Sequence, residues 1–189
     1  MHGRGWLVPS IAAPVIAFVA ALTAGVLLYD PVDAVFGALL AAAAIFIAVV
    51  DLDRFEIPDT GSFAMLVFGL AWTLEASGLD AEAFVEALLR SVAAAAILYA
   101  VRAGYRAVRG FEGLGLGDVK LAGAGALWLS WSHITIALLI AVGGAIIVVI
   151  GRSVFARERI DAHAAIPFGA FLAPAIWIGW FAQVNGVWA

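Results

Sequence analysis

VKLAGAGALWLSWSHITIALLIAVGGAIIVVI, residues 119–150, is apolar almost from end to end, and whether it forms one helix or two decides the fold. As one helix it would run about 48 Å, against a bilayer hydrocarbon core of about 30 Å. Broken around Ser130-Trp131-Ser132-His133, it becomes a short first helix of roughly 20 Å and a second of spanning length. The basic residues choose between these. With the break, and with the N-terminus inside, Arg4, Arg54, Arg102, Arg106, Arg109, Lys120, Arg152, Arg157 and Arg159 all fall on one side. Arg90 alone falls elsewhere, in the outer half of a span. Without the break, GRSVFARER (151–159) lies outside, against the tendency of Lys and Arg to remain cytoplasmic. The break is therefore expected.

The rest of the chain fits that frame. Its 189 residues are 65% hydrophobic and 13% charged, and the mean hydropathy is +1.08. This is well above the apolar fraction of a soluble domain. It predicts an all-α, polytopic integral membrane bundle occupying residues 1–189 as a single domain. On a ruler of about 20 apolar residues per crossing, spans are expected near 7–28, 33–50, 61–78, 84–105, 119–131, 133–151 and 166–187. That makes six to seven spans, with the ambiguity in 119–150. The apolar stretch from Leu7 to Leu28 is long enough to be a retained first helix rather than a secretory signal. The net charge of −4 suggests no nucleic-acid partner, and the absence of cysteine excludes disulfides, thiolate zinc sites and a cysteine nucleophile.

Acids at the membrane boundaries are the informative polar residues. VVDLDRFEIPD (49–59) closes the second span with Asp51, and GLGLGD (113–118) opens the fifth with Asp118. Two spans lie between them, an even number, so both carboxyl groups emerge on the same face, which the topology above makes cytoplasmic. Taken singly, each acid reads as a solvated residue at a helix end, where an N-terminal carboxylate also favours the helix dipole. The alternating glycines permit a tight turn; they lack the strand and βαβ context of a dinucleotide fingerprint. Taken as a pair, two close carboxyl groups share a proton, so one acts as base toward water and the other as acid toward a carbonyl. Glycines beside an aspartate also let an extended peptide approach.

The ordered set Asp51, Ile57-Pro58-Asp59, GLGLGDVKLAGAGALWL (113–129) and IPFGAFLAPAIWIGW (166–180) resembles the type IV prepilin peptidases, membrane aspartic proteases with a Gly-x-Gly-Asp motif. The resemblance runs from about residue 35 to 180. It implies catalytic roles for Asp51, seven residues before Pro58, and for Asp118, last in Gly115-Leu116-Gly117-Asp118; Asp53 does not meet the first spacing. It also implies supporting positions at Gly115, Gly117, Pro58, Asp59, Lys120 and Pro167. The substrate implied is a type IV pilin-like precursor, cut between a basic leader and its apolar helix on the cytoplasmic face of the inner (plasma) membrane. Many bacterial members carry a cytoplasmic domain with paired Cys-x-x-Cys zinc ligands associated with N-methylation. Here only LYDPVDAV (28–35) joins the first two spans, so a peptidase without methylation is expected, with no cofactor. The oligomeric state is left open.

Other residues carry less. Arg90 is expected to snorkel to the outer interface, and Lys120 either to hold an anion near Asp118 or to snorkel likewise. His133 reads as interfacial, His163 as a loop residue, and the three scattered histidines make no metal site. Pro167 suits the first turn of the last span. Two other functions remain open to the sequence. A small proton-coupled transporter also uses intramembrane acids and glycine-broken helices, and predicts an inverted repeat that is not found. A presenilin-like or signal-peptide-peptidase-like protease shares Gly-x-Gly-Asp, but its first aspartate follows a tyrosine within the span, where this chain has Val50-Asp51 at a span end.

Overall fold

The structure, a computed structural model, describes residue 20, residues 30–155 and residues 166–187. The expected span at 7–28 lies outside the described residues apart from Ala20, and so do Arg157, Arg159 and His163. The described elements are helices alone: α1 (Pro31–Arg54), α2 (Asp59–Ala76), α3 (Ala81–Arg109), α4 (Leu116–Ala126), α5 (Trp131–Phe155) and α6 (Gly169–Val184). Local chemistry sets their ends. Asp30 caps α1, its carboxylate accepting the Val32 N–H at 2.8 Å ahead of Pro31 in the first turn. Asp80 does the same for α3 through Glu82 N–H at 3.0 Å, and Gly110 ends that helix with φ at 80°.

The break in 119–150 is present, with α4 and α5 separated by residues 127–130, slightly earlier than the Ser130–His133 position expected. Helix α4 has 11 residues, about 17 Å, too short to cross the hydrocarbon. It lies inside the bundle instead, packed on α2, α3 and α6, with every residue from Asp118 to Ala126 buried except Lys120. By length and composition α1, α3 and α5 can cross a membrane, and α6 is a shorter apolar helix. The described residues thus contain three helices of spanning length and apolarity where seven spans were expected. The outer faces of α3 and α5 remain exposed and apolar, among them Leu89, Val92, Ile97, Leu139, Ile147 and Val154. Such a surface suits hydrocarbon rather than water and belongs to an integral membrane bundle.

A helix that stops inside the bundle must satisfy its last carbonyls within the protein, because its apolar surroundings offer no donors. Side chains from three neighbours do this. Ser91 Oγ donates to Gly123 O at 2.7 Å and Arg90 Nε to Ala126 O at 3.3 Å, both from α3. Thr73 Oγ1 of α2 donates to Leu127 O at 3.0 Å, and Gln183 Nε2 of α6 to Trp128 O at 3.2 Å. Arg90 therefore does not snorkel to the outer interface; it caps α4 and pairs with Glu86 one turn away. A part-buried guanidinium thus completes this helix end. His133 is buried in the protein, between Ser130 Oγ at 2.7 Å and the Val187 carbonyl at 3.0 Å.

Around α4 the core is aromatic. Trp128 stacks on Trp72 with ring centroids 6.3 Å apart and meets Trp180 edge-on, and its Nε1 donates to Met65 O at 3.0 Å. Gly37 lies against the Trp180 ring and Gly69 against Trp128, where a methyl group would have no room. Small residues at these crossings let the backbones approach and bring α1, α2, α4 and α6 together around one end of α4.

Candidate active site

Asp51 sits in the last turn of α1 and is only 3% exposed, although the residues after it are open to solvent. The helix stops at Phe55, which adopts the left-handed conformation (φ 56°) and donates its N–H to Asp51 O at 2.8 Å. That conformation costs an L-residue about 1–2 kcal/mol. It turns the chain sharply, so that Ile57 points inward and Pro58 precedes the first turn of α2, its carbonyl accepting the Gly61 and Ser62 N–H groups.

Asp118 is the third residue of α4 and is 8% exposed. Its Oδ2 accepts the N–H of Gly115, the residue that caps the helix, at 3.0 Å. This is the acidic arm of a capping box, and it leaves the carboxyl group at the positive end of the helix. Gly115 is held this close because a Cβ on it would lie 3.1 Å from Asp118 Oδ2; upstream, Gly113 rests on the Tyr105 ring.

The first turn of α6 completes the arrangement. Ala170 N–H donates to Asp51 Oδ2 at 2.8 Å and is shared with the Pro167 carbonyl at 3.2 Å. Each aspartate is thus held by an amide at the start of a helix, Asp118 by the cap of its own helix and Asp51 by the first turn of another. Ile57 joins the two: Cβ atoms added to Gly117 of α4 and Gly169 of α6 would come within 2.9 and 2.6 Å of its side chain. One isoleucine therefore sets the spacing between the turn that carries Asp118 and the turn that holds Asp51.

Both acids open into one cleft of about 1160 Å³. Its rim is polar, with Arg54, Glu56, Asp59, Glu112 and Lys120. One wall is an apolar face of α5 formed by Val142, Ala145, Ile146, Val149 and Ile150. Burial raises the Asp118 pKa to about 6; the Gly115 hydrogen bond opposes this, and the charge of Asp51 adds to it. A carboxyl group with that proton affinity beside a second, hydrogen-bonded carboxyl group has the makings of an acid–base pair.

Asp51, Asp118, Gly115, Gly117, Pro58, Asp59 and Lys120 all line the cleft, as residues singled out by sequence. Pro167 stands just before α6 and touches the site through its carbonyl. Asp53 is exposed, lies outside the cleft and contacts Arg54 at 3.9 Å. Lys120 forms a 2.6 Å ion pair with Asp59, joining the starts of α4 and α2 at the rim. Among the described residues no group of three His, Cys, Asp or Glu side chains is placed to hold a metal ion. Sequence reasoning passed over Ile57, Gly169, Ala170 and the loop anchor Arg102. Ile57 and Gly169 lay within the quoted motifs, but nothing local marked them as mutual neighbours.

Comparison with known proteins agrees with this site. A model of the type IV leader peptidase family matches residues 38–151, which include both aspartates. The chain is 32% identical over 156 residues to the prepilin leader peptidase/N-methyltransferase of Burkholderia pseudomallei (strain K96243), covering 81% of this chain and 48% of that protein. It is 30% identical over 141 residues to the protein of the same name in Aeromonas salmonicida (strain A449), covering 74% and 46%. A third relative of that name, from Pectobacterium carotovorum subsp. carotovorum, is 29% identical over 161 residues, covering 84% and 55%. The chain spans about half the length of these curated relatives. No solved structure matches it. With the family model covering more than half of the sequence and both buried aspartates inside the match, the chain belongs to the type IV leader peptidase family.

Proposed function

We propose that this chain is a membrane aspartic endopeptidase that removes the basic leader from a type IV pilin-like precursor at the cytoplasmic face of the inner membrane. The observation that carries the reading is the pair of buried carboxyl groups, each held by an amide at a helix start, at the head of one open cleft. Asp51 as carboxylate takes a proton from water, and the resulting hydroxide adds to the scissile carbonyl carbon. Asp118 in its acid form gives its proton to the carbonyl oxygen, a role suited to a pKa near 6. Collapse of the tetrahedral species re-forms the carbonyl, breaks the C–N bond and passes a proton to the leaving amine, restoring the singly protonated pair. The relatives' names, which join prepilin leader peptidase to N-methyltransferase, support the substrate class.

Only residues 28–35 join the first two expected spans, too few for a domain with paired Cys-x-x-Cys ligands at that place, and cleavage without methylation is part of the reading. Purified protein given a pilin-like precursor and S-adenosylmethionine should release the leader and leave a mature N-terminus without an added methyl group. Intact precursor after prolonged incubation would end the peptidase reading, and a methyl group on the product in mass spectra would end the second part.

The topology proposed is seven crossings with the N-terminus inside. Helix α4 is too short to cross alone; with residues 127–130, whose Ser130 N–H meets Gln183 near the far end of α6, it carries the chain from the end that bears the acids to the opposite one. Arg54, the α3 C-terminal arginines and Lys120 share the end of the bundle that carries the acids, which supports a cytoplasmic site. A reporter fused at Arg157 should behave as cytoplasmic and one at Asp80 as external; the reverse pattern would overturn this orientation.

A further inference from the structure

The loop that delivers Asp118 is held from behind by α3. Arg102, in the last turns of that helix, has a side chain only 12% exposed. Its Nε donates to the Leu114 carbonyl at 2.9 Å, and its terminal nitrogen pairs with the Glu112 carboxylate. The second oxygen of Glu112 accepts from Arg106 at 3.2 Å. The Leu114 carbonyl and the Gly115 N–H are the two ends of one planar peptide group, and that N–H is the donor to Asp118 Oδ2 at 3.0 Å.

We propose that Arg102 is a positioning residue of the active cleft, acting through the Leu114–Gly115 peptide to orient and strengthen the hydrogen bond that holds Asp118, with Glu112 fixing the guanidinium. The consequence for activity rests on the peptidase reading above; the coupling to Asp118 does not. A cation on the carbonyl oxygen draws electron density from the amide and makes its N–H a better donor, and linked hydrogen bonds strengthen one another by roughly 10–30%. The rigid peptide plane carries direction as well as polarity: where Arg102 holds the oxygen, the N–H points the other way, at Asp118. Arginine suits the position because its rigid planar fork presents separate nitrogens to Leu114 and Glu112, whereas the donors of lysine share one atom on a flexible stem. The charged or titratable groups sharing the cleft with Asp118 are Asp51 and Arg54 of α1, Glu56, Asp59 of α2, Tyr105 of α3, Glu112 and Lys120. The described cleft-lining side chains of α5 and of the segment before α6 are apolar. None of these groups contacts the Leu114–Gly115 peptide as Arg102 does.

The test uses the full chain in detergent micelles as wild type, Arg102→Met, Arg102→Lys and Arg109→Met. Infrared titration of the Asp118 carboxyl stretch, assigned by its loss in Asp118→Asn, needs no turnover. Because the Gly115 N–H favours the ionised carboxylate, weakening it in Arg102→Met should move the Asp118 midpoint up by about half to one pH unit. With precursor, kcat should fall about tenfold while KM stays within about twofold, the signature of lost positioning rather than lost binding. Arg102→Lys should recover part of both effects, and Arg109→Met, which removes a charge from the same helix end, should show neither. An unchanged midpoint in Arg102→Met overturns the proposal, even with activity reduced, and leaves Arg102 a plain loop anchor. If Arg102→Met does not fold, Arg102→Lys decides: a midpoint above wild type supports the coupling and an unchanged one ends it. If the wild type cleaves no precursor, the peptidase reading falls while the infrared midpoints still decide the role of Arg102.

Discussion

Asp51→Asn or Asp118→Asn should each lower precursor cleavage by roughly 10²–10⁴-fold, the range that one positioned acid or base contributes. The double variant should be little worse than either single one, because groups that share a proton act as a unit. Asparagine keeps an acceptor for the Gly115 and Ala170 N–H groups that hold these side chains, so the folds should survive. Asp53→Asn, altered at an exposed site outside the cleft, should stay within about twofold of wild type. Stability should separate chemistry from folding. The Asp118 pKa rises from 3.8 to about 6 in the folded protein, so the folded state keeps this proton to higher pH than the unfolded chain does. The resulting stabilisation is present below pH 3.8 and is lost as pH rises through about 6. Asp118→Asn removes that dependence, so its melting temperature at pH 7.5 should not drop, and its stability should fall less steeply between pH 4 and 7. Cleavage by well-folded Asp51→Asn or Asp118→Asn near the wild-type rate would sink the aspartic mechanism.

Gly169→Ala should be nearly as damaging, for a purely steric reason. The new Cβ would lie 2.6 Å from the end of Ile57 and 3.1 Å from Asp51 Oδ2. Ile57 has little room to give, because Gly117 is already packed against its Cβ. The methyl group must therefore separate α6 from the α1–α2 turn, lengthening the Ala170 N–H bond to Asp51. Misplacement of a catalytic group by about 1 Å costs on the order of 10²-fold in rate, and a loss of that size in kcat is the expected result. Shortening Ile57 should relieve it: Gly169→Ala with Ile57→Ala should recover at least tenfold over Gly169→Ala alone. Full activity in Gly169→Ala would show that Ile57 does not set the spacing of the two acids.

Parity needed only a count of apolar segments, and it brought Asp51 and Asp118 to the same end of the bundle. The motifs singled out the two loops of the cleft but not its α5 wall, because loops that carry chemistry have compositions that helices avoid: alternating glycines before Asp118, and Pro58 after a helix end. The charge asymmetry that placed a break in 119–150 was legible for the same reason, since arginines report their side of a bilayer by count and need no contact map. Helix lengths were less so. An apolar run predicts a crossing by hydropathy, and α4 opens such a run, yet it is 11 residues long and surrounded by protein.

What the sequence by itself determined is the all-helical membrane class, the break between α4 and α5, and the pair of aspartates on one face, all consequences of local composition and of position along the chain. Only the tertiary structure decided which groups complete the end of α4, and there Arg90 became a cap for Ala126 instead of a snorkelling surface cation. It also decided that Lys120 answers Asp59, that Ile57 separates Gly117 from Gly169, and that Arg102 reaches Asp118 through a peptide group. The physical reason is common to all of these. Each contact depends on the rotation and depth at which one helix packs on another, to within a fraction of a helical turn, and that register is set by side-chain volumes such as Gly37 under Trp180 and Gly69 under Trp128. No pattern local to either partner records it.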